Sequence, residues 1–140
     1  MHCYCWARRD AASRQDSDPY MSNYLKSFAE IPTYQDTGSQ NQTCRDVLPR
    51  GIVPDLLVGY NILDGPGRTG LGKHSGWHQV FVVVRGQGTL LRGDERIPVA
   101  APCVIHIPPN TEHDMLVEPG QHIEYVYVNR YLIPREETNA

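Results

Sequence analysis

Seven short segments with the composition of β-strands follow one another from residue 51 onward, and no helical period separates them. Gly, Pro, Asn and Asp, the residues that favour turns, lie between them. The segments are DLLVGYNIL (55–63), QVFVVVR (79–85), TLLRG (89–93), RIPVA (96–100), CVIHI (103–107), HDMLV (113–117) and HIEYVYVNRYLI (122–133). Many short strands at near-regular spacing predict an all-β sandwich or barrel, and their short connections predict antiparallel pairing. Gly86-Gln87-Gly88 predicts a turn between the second and third segments.

The segment 79–85 predicts that both faces of its strand are covered. Side chains alternate across a strand, so Phe81 and Val83 share one face with Gln79, and the valines at 80, 82 and 84 share the other. One face would line the barrel interior. The other would meet a second sheet, the N-terminal arm or another subunit, so we expect a homodimer.

The first 50 residues differ from the rest because they are polar and show no sustained period. We predict three regions: an N-terminal arm over 1–50, partly disordered; a β-barrel over 51–132; and a C-terminal tail over 133–140. Within the arm, MSNYLKSFAE (21–30) could form a short helix with Ser22 as its N-cap, and 35–46 reads as a polar loop.

Composition excludes several classes of partner. The chain of 140 residues carries a net charge of −3, whereas nucleic acids and anionic membranes favour a basic face. It has no apolar run long enough to span a bilayer and no charged-then-apolar secretory signal. Its four cysteines form no Cys-x-x-Cys pair. We therefore expect a cytoplasmic protein whose partner is a small molecule, with neither nucleic acid nor membrane.

Five of the six histidines lie within residues 74–122. They are His74, His78, His106, His113 and His122. Neutral imidazole is the commonest protein ligand for metals, so this cluster predicts either a metal site or acid–base chemistry. Glu112 and Asp114 flank His113, and by strand alternation we expect both to be solvated surface charges. Glu124, Tyr60, Tyr125 and Tyr127 are further candidates whose inward or outward phase the sequence leaves open.

The segment KHSGWHQVFVVVRGQG (73–88) resembles the first motif of the cupins, which are small β-barrel proteins. That motif runs G-x5-H-x-H-x(3,4)-E-x6-G. Here Gly86 closes it, Gln79 stands at the glutamate and His74 at the second histidine. Gly72 stands at the first histidine.

The segment PPNTEH (108–113) resembles the second cupin motif, G-x5-P-x-G-x2-H-x3-N. His113 takes the position of the histidine, and Asn110 replaces Gly, a mild exchange because Asn readily adopts left-handed backbone. Pro102 replaces the opening Gly, and Val117 replaces the closing Asn. The resemblance, which extends over about 55–132, implies a small antiparallel double-stranded β-helix, or jelly-roll barrel.

In cupins the motif histidines and glutamate usually hold one divalent metal inside the barrel. Carried over, the resemblance implies His74, Gln79 and His113 as ligands to Fe, Zn, Mn or Ni, although Gly72 can ligate nothing and Gln79 is a neutral, weaker donor. A regular strand would point His78 away from Gln79, but a bulge at residues 76–77 could turn it inward and give a three-histidine site.

Two functions stay open at this point. One is a metal-dependent dioxygenase, isomerase or lyase that uses the ligands above. The other is a metal-free cupin that binds a small ligand or acts as an isomerase or cyclase. In the second case His113, His106 or His74 would be the acid–base group.

Overall fold

The structure is a computed structural model that describes residues 24–132, so the predictions for 1–23 and 133–140 lie outside the described residues. The predicted all-β barrel is confirmed. Seven strands follow one short 3-10 turn, Phe28–Glu30: β1 Gln40–Leu48, β2 Leu56–Arg68, β3 Trp77–Arg92, β4 Glu95–Ala100, β5 Cys103–Ile107, β6 His113–Val117 and β7 His122–Tyr131. Between residues 24 and 132 we find no helix with the length and apolar character needed to cross a membrane.

The barrel closes because two long strands each pair with several neighbours. Strand β2 pairs with β7 along its first part and with β6 at Gly67 and Arg68, and it pairs with β1 as far as Arg68. Strand β3 pairs with β7 and β5 before Gly86, and with β4 and β6 after it. The circuit β2–β7–β3–β6 therefore returns to β2, and every pairing in it is antiparallel.

Inward-facing side chains divide the interior into an apolar part and a polar part. The apolar part contains Leu63, Val83, Leu90, Met115 and Ile123, each at most 2% exposed. The polar part contains a set of buried amide and imidazole side chains, namely Gln42, Asn61, Gln79, His113 and Asn129. A polar group loses free energy on burial unless it has a partner, so the polar part is the place to look for a site.

Three boundaries differ from the sequence-based prediction. Strand β1 lies in the segment assigned to the arm, and residues 40–46 belong to it rather than to a loop. The helix predicted over 21–30 is, among residues 24–30, only the 3-10 turn, which Ser27 and Glu30 cap. Residues 86–88 form no turn: β3 runs through them, with a bulge near residue 84 and φ of +79° at Gly86.

The outer face of β3 and its neighbours is apolar, as the alternation in 79–85 predicts. Within the described chain Val82, Val84 and Val104 are 41%, 47% and 68% exposed. The valines at 82, 104 and 126 lie side by side on three paired strands. The homodimer stays a prediction, which size-exclusion chromatography with light scattering checks.

Asp114 corrects the expectation of a solvated surface charge, because its side chain is fully buried. It does point away from His113, but the segment after β2 covers it. Its carboxylate accepts hydrogen bonds from the Arg68 guanidinium, from Thr69 Oγ1 at 3.0 Å and from the Gly70 N–H at 3.0 Å. Asp114 thereby fixes the segment that leads into the pocket wall.

We expect Asp114→Asn to lower the free energy of unfolding by about 1.5–3 kcal/mol, because it removes a buried, charge-assisted hydrogen-bond acceptor. Urea denaturation at neutral pH measures the change. Glu112→Gln is the matched control: Glu112 is exposed two residues away, and its substitution should stay within about 0.5 kcal/mol of wild type. Equal effects of the two substitutions would contradict the structural role given to Asp114.

Candidate functional site

A cavity of about 690 Å³ occupies the polar part of the barrel. Residues from β1, β2, β3, β6 and β7 line it, together with the segments around Asp36 and Leu71. The exposed lining residues Asp36, Thr37, Gly38 and Leu71 form its rim. A cavity of this size takes a small molecule with room for ordered water.

Two histidines meet in this cavity. His74 stacks on Trp77 with ring centroids 4.5 Å apart, and its ring centroid lies 5.2 Å from that of His113. Their backbones are held by Gly72, which exchanges two hydrogen bonds with His113, and by the Asn110 N–H, which donates to the His74 carbonyl at 2.6 Å. Asn110 has φ of +62°, which explains how it replaces the motif glycine.

The two imidazoles differ in their surroundings. His113 is buried, and its Nδ1–H donates to the Thr111 carbonyl oxygen at 2.8 Å. That bond leaves Nε2 as the nitrogen with a free lone pair. Burial and the nearby His113 lower the pKa of His74 below its usual value. Near neutral pH the His74 ring is therefore uncharged.

Gln79 lies inside the barrel, as the resemblance implies, and is 8% exposed. Its Nε2 donates to Asn129 Oδ1 at 2.9 Å, and Asn129 Nδ2 donates to the Tyr131 hydroxyl at 3.5 Å. Gln79 Oε1 is buried without a hydrogen-bond partner, and so is the indole Nε1 of Trp77. Such orphaned groups in a cavity wall mark places where a ligand can bind.

The opposite wall is a second polar network. Asn61 Nδ2 donates to the Tyr125 hydroxyl at 2.9 Å, and Asn61 Oδ1 accepts from Cys44 and from Gln42. Burial raises the pKa of the Cys44 thiol to about 12, so it is an unreactive neighbour rather than a nucleophile.

Nearer the rim, Asp46 accepts from Tyr34 at 2.7 Å and from Tyr127 at 3.4 Å, and these two hydroxyls are 3.1 Å apart. Burial raises the pKa of both tyrosines, so they stay protonated. Their protons are donated within this group, so toward a ligand the hydroxyl oxygens act as acceptors.

His78 and His106 lie on the outer surface, which corrects their proposed inclusion in the site. The strand is regular at Trp77–Gln79, so no bulge turns His78 inward. Its Nδ1 lies 2.9 Å from His106 Nε2, and the two exposed rings stack at 5.2 Å. His78 cannot complete a three-histidine site with His74 and His113, and His106 cannot act in the same cavity.

Glu124 also faces outward, with His122, Asp64 and Tyr60. His122 bonds Asp64 through Nδ1 at 2.6 Å and Glu124 through Nε2 at 3.1 Å. These bonds, chiefly that to Asp64, raise the pKa of His122. Partial burial tends to raise the pKa of Glu124. Hydrogen bonds from His122 and Tyr60 outweigh this effect and hold the pKa of Glu124 below its usual value.

The raised pKa of His122 predicts a pH dependence of stability. The stabilisation from protonated His122 is fully present below the unfolded pKa, about 6.5, and is lost as pH rises through the higher folded pKa. Chemical denaturation between pH 6 and 9 should show this loss in wild type, and His122→Gln should remove it. NMR titration gives the folded pKa directly, and a value at or below that of a free histidine would contradict the prediction.

The residues present do not fit the metal site that the resemblance implies. His74, His113 and Gln79 do share the cavity, but they offer two imidazoles and one neutral amide oxygen. Gly72 supplies no side chain, and the two lining carboxylates that the structure describes, Asp36 and Asp46, complete no ligand set with the histidines. In residues 24–132 no group of three His, Cys, Asp or Glu side chains is placed to hold a metal ion.

Several cavity residues were missed from sequence, chiefly Gln42, Asn61, Asp46 and Asn129. Asn129 could have been found, because it is in phase with Tyr125 and Tyr127 on one strand. Gln42 and Asp46 could not, since β1 lacks the apolar alternation that identifies a strand.

The comparisons with solved structures agree with this architecture. The chain is similar to a predicted oxalate decarboxylase from Thermotoga maritima, with a TM-score of 0.69, 17% identity, and coverage of 78% of this chain and 100% of the other. It is similar to the polyketide cyclase RemF from Streptomyces resistomycificus, with a TM-score of 0.67, 19% identity, and coverage of 84% and 93%. It is also similar to a variant of Streptomyces PAC13 solved with uridine, with a TM-score of 0.63, 17% identity, and coverage of 82% and 88%.

A sequence comparison with curated proteins finds no relative. The family model described as the cupin domain matches residues 62–129, which include both motif segments and extend from the second half of β2 through most of β7. By this match, with which the closed antiparallel barrel agrees, the chain contains a cupin domain over residues 62–129.

Proposed function

We propose that this protein binds a small molecule in the barrel and moves protons on it without a metal, as an isomerase or cyclase does. The observation that carries the proposal is the pair His74 and His113. They are two adjacent imidazoles in a cavity, and among the described residues no third His, Cys, Asp or Glu side chain is placed to form a metal site with them. Among barrels of similar shape, one is a polyketide cyclase and another was solved with uridine.

His113 is the base in this proposal. Its Nδ1–H is held by the Thr111 carbonyl, so Nε2 can accept a proton from a ligand carbon or hydroxyl. The resulting imidazolium keeps its bond to that carbonyl, which stabilises the charge. His74, neutral at working pH, can relay the proton or hydrogen-bond the ligand oxygen that gains charge.

Proton transfer of this kind needs no oxidant, reductant or second substrate. A proton leaves one ligand atom for His113 and returns to another, so atoms and electrons balance within the ligand. The amides of Gln79 and Asn129 and the hydroxyls of Tyr34 and Tyr127 would hold the ligand in place. A metal-dependent dioxygenase or lyase is the competing function.

Deuterium exchange tests the proposal without knowledge of the natural substrate. Chelator-treated protein is incubated in D2O with a panel of uncharged carbonyl compounds that carry acidic C–H bonds, and incorporation is followed by mass spectrometry. We expect exchange by wild type and by His78→Gln, and a loss on the order of 100-fold in His113→Gln. Exchange that requires added metal, or that survives in His113→Gln, would overturn the proposal.

A further inference from the structure

Among the described residues, the cavity wall has no permanently cationic side chain. Among the described residues that line it, Asp36 and Asp46 carry carboxylates, and none is Lys or Arg. The guanidinium of Arg50 lies over the ring of Tyr131, 3.7 Å from its centroid, but Arg50 is not part of the lining. An anion that entered would lose its hydration without gaining a charged partner, which is strongly unfavourable.

The buried polar groups of the wall include several neutral amides. Four buried side chains carry them: Gln42, Asn61, Gln79 and Asn129. A carboxamide offers donors and an acceptor side by side, and so matches ligands that carry both kinds of group. It gives no advantage to a carboxylate or phosphate, which can only accept.

Two of the orphaned polar atoms are of opposite kinds. Gln79 Oε1 is an acceptor and Trp77 Nε1–H is a donor, and both belong to cavity-lining residues. The two residues are separated by one position on β3, so their side chains lie on the same face of the strand. A ligand that donates to the first and accepts from the second would satisfy both.

Aromatic rings also line the cavity. The rings of Phe81 and Tyr125 have centroids 4.9 Å apart, and those of Trp77 and Tyr131 are 5.2 Å apart. All four residues line the cavity. Flat aromatic walls favour a planar, unsaturated ligand, which packs against ring faces and edges.

We infer that the ligand is an uncharged planar ring compound with an N–H or O–H donor close to a carbonyl acceptor, and that carboxylates and phosphate esters are excluded. Heteroaromatic lactams and phenolic carbonyl compounds share this chemistry. The inference rests on the proposed function and adds the class of substrate. In this proposal Gln79, Trp77 and a wall without Lys or Arg side chains make the cavity select against charged ligands.

Three probes of one shape test the charge selection: benzamide, benzoate and benzamidine, which are neutral, anionic and cationic. Binding to chelator-treated protein is followed by NMR at the side-chain amides of Gln79 and Asn129 and at the Trp77 indole. We expect benzamide to bind on the order of 10-fold more tightly than either ion, because benzoate can only accept hydrogen bonds and benzamidinium can only donate them, whereas the amides of the wall match a ligand that does both. Uracil and salicylamide then distinguish the heteroaromatic from the phenolic source.

Gln79→Met keeps the side-chain volume and removes the amide, and should weaken benzamide on the order of 10-fold. Trp77→Phe keeps an aromatic ring, removes the N–H, and serves if the first variant does not fold. His78→Ala, on the outer face beside Gln79, is the matched control and should bind as wild type does.

Benzoate or benzamidine binding as tightly as benzamide would overturn the inference, and so would the failure of all three to perturb the cavity signals. The benzoate result also shows whether the charge selection alone is wrong or the proposed metal-free function is wrong too. If the cavity binds benzoate in chelated protein, only the charge selection is wrong. If benzoate binds only after metal is restored, the metal-free function is wrong as well.

Discussion

Gly86→Ala is expected to lower the free energy of unfolding on the order of 3–5 kcal/mol, enough to unfold much of a domain of ordinary stability. Gly86 has φ of +79°, and a Cβ added there would lie 1.8 Å from the His122 carbonyl oxygen on the paired strand β7. That contact is with backbone, so no side-chain rotation relieves it. Thermal or urea denaturation of the purified variant measures the loss.

Gly120→Ala separates the two causes. Gly120 has nearly the same backbone conformation, φ of +81°, but a Cβ there would meet nothing within 4 Å. It should cost only the strain of a left-handed residue, about 1–2 kcal/mol. If both variants lose equal stability, steric contact with β7 is not the reason why the first motif requires a glycine at position 86.

The double variant Gly72→His, Gln79→Glu is expected to gain a metal site. A Cβ at position 72 would lie 3.8 Å from His74 Cε1 and 3.9 Å from His74 Nε2, an ordinary contact with room for a side chain. Residue 72 is also paired directly with His113. The variant would therefore place three imidazoles and one carboxylate in the cavity, a set that Zn, Ni and Fe bind well.

Calorimetric titration with Zn²⁺ measures the gain, which should be at least about 100-fold over wild type, because even partners outside the ligand shell are worth 10–100-fold. The outer pair His78 and His106 has ring nitrogens 2.9 Å apart and could chelate metal on its own. Both proteins are therefore compared with His78→Ala in place. If the double variant and wild type bind Zn²⁺ with equal affinity, the missing histidine at position 72 and the missing carboxylate at position 79 do not explain weak metal binding.

The sequence predicted well those features that depend on alternation along a single strand. That Gln79, Phe81 and Val83 share one face of β3 follows from the pleat, and the resemblance to the cupin motif implies that Gln79 points inward; in the structure all three are buried inside the barrel. Asn110 follows in the same way, since a left-handed backbone was expected where a motif has Gly. Each of these depends on local geometry, which the sequence carries directly.

The features that depend on distant segments were predicted poorly. Asp114 was expected in solvent because alternation points it out of the barrel, but the segment 68–70, more than 40 residues earlier, covers it. The sequence of β1 predicts a loop because its inward residues, Gln42 and Cys44, face a polar cavity rather than an apolar core. A strand that lines a polar site lacks the pattern by which strands are recognised.

The central claim is that the barrel works without a metal. Elemental analysis of untagged protein, produced in medium supplemented with Fe, Zn, Mn and Ni and then dialysed, tests it most directly. We predict no stoichiometric metal in wild type beyond what His78→Ala removes, since that variant eliminates the outer histidine pair. One metal ion per chain that persists in His78→Ala, and is lost in both His74→Ala and His113→Ala, would contradict the claim.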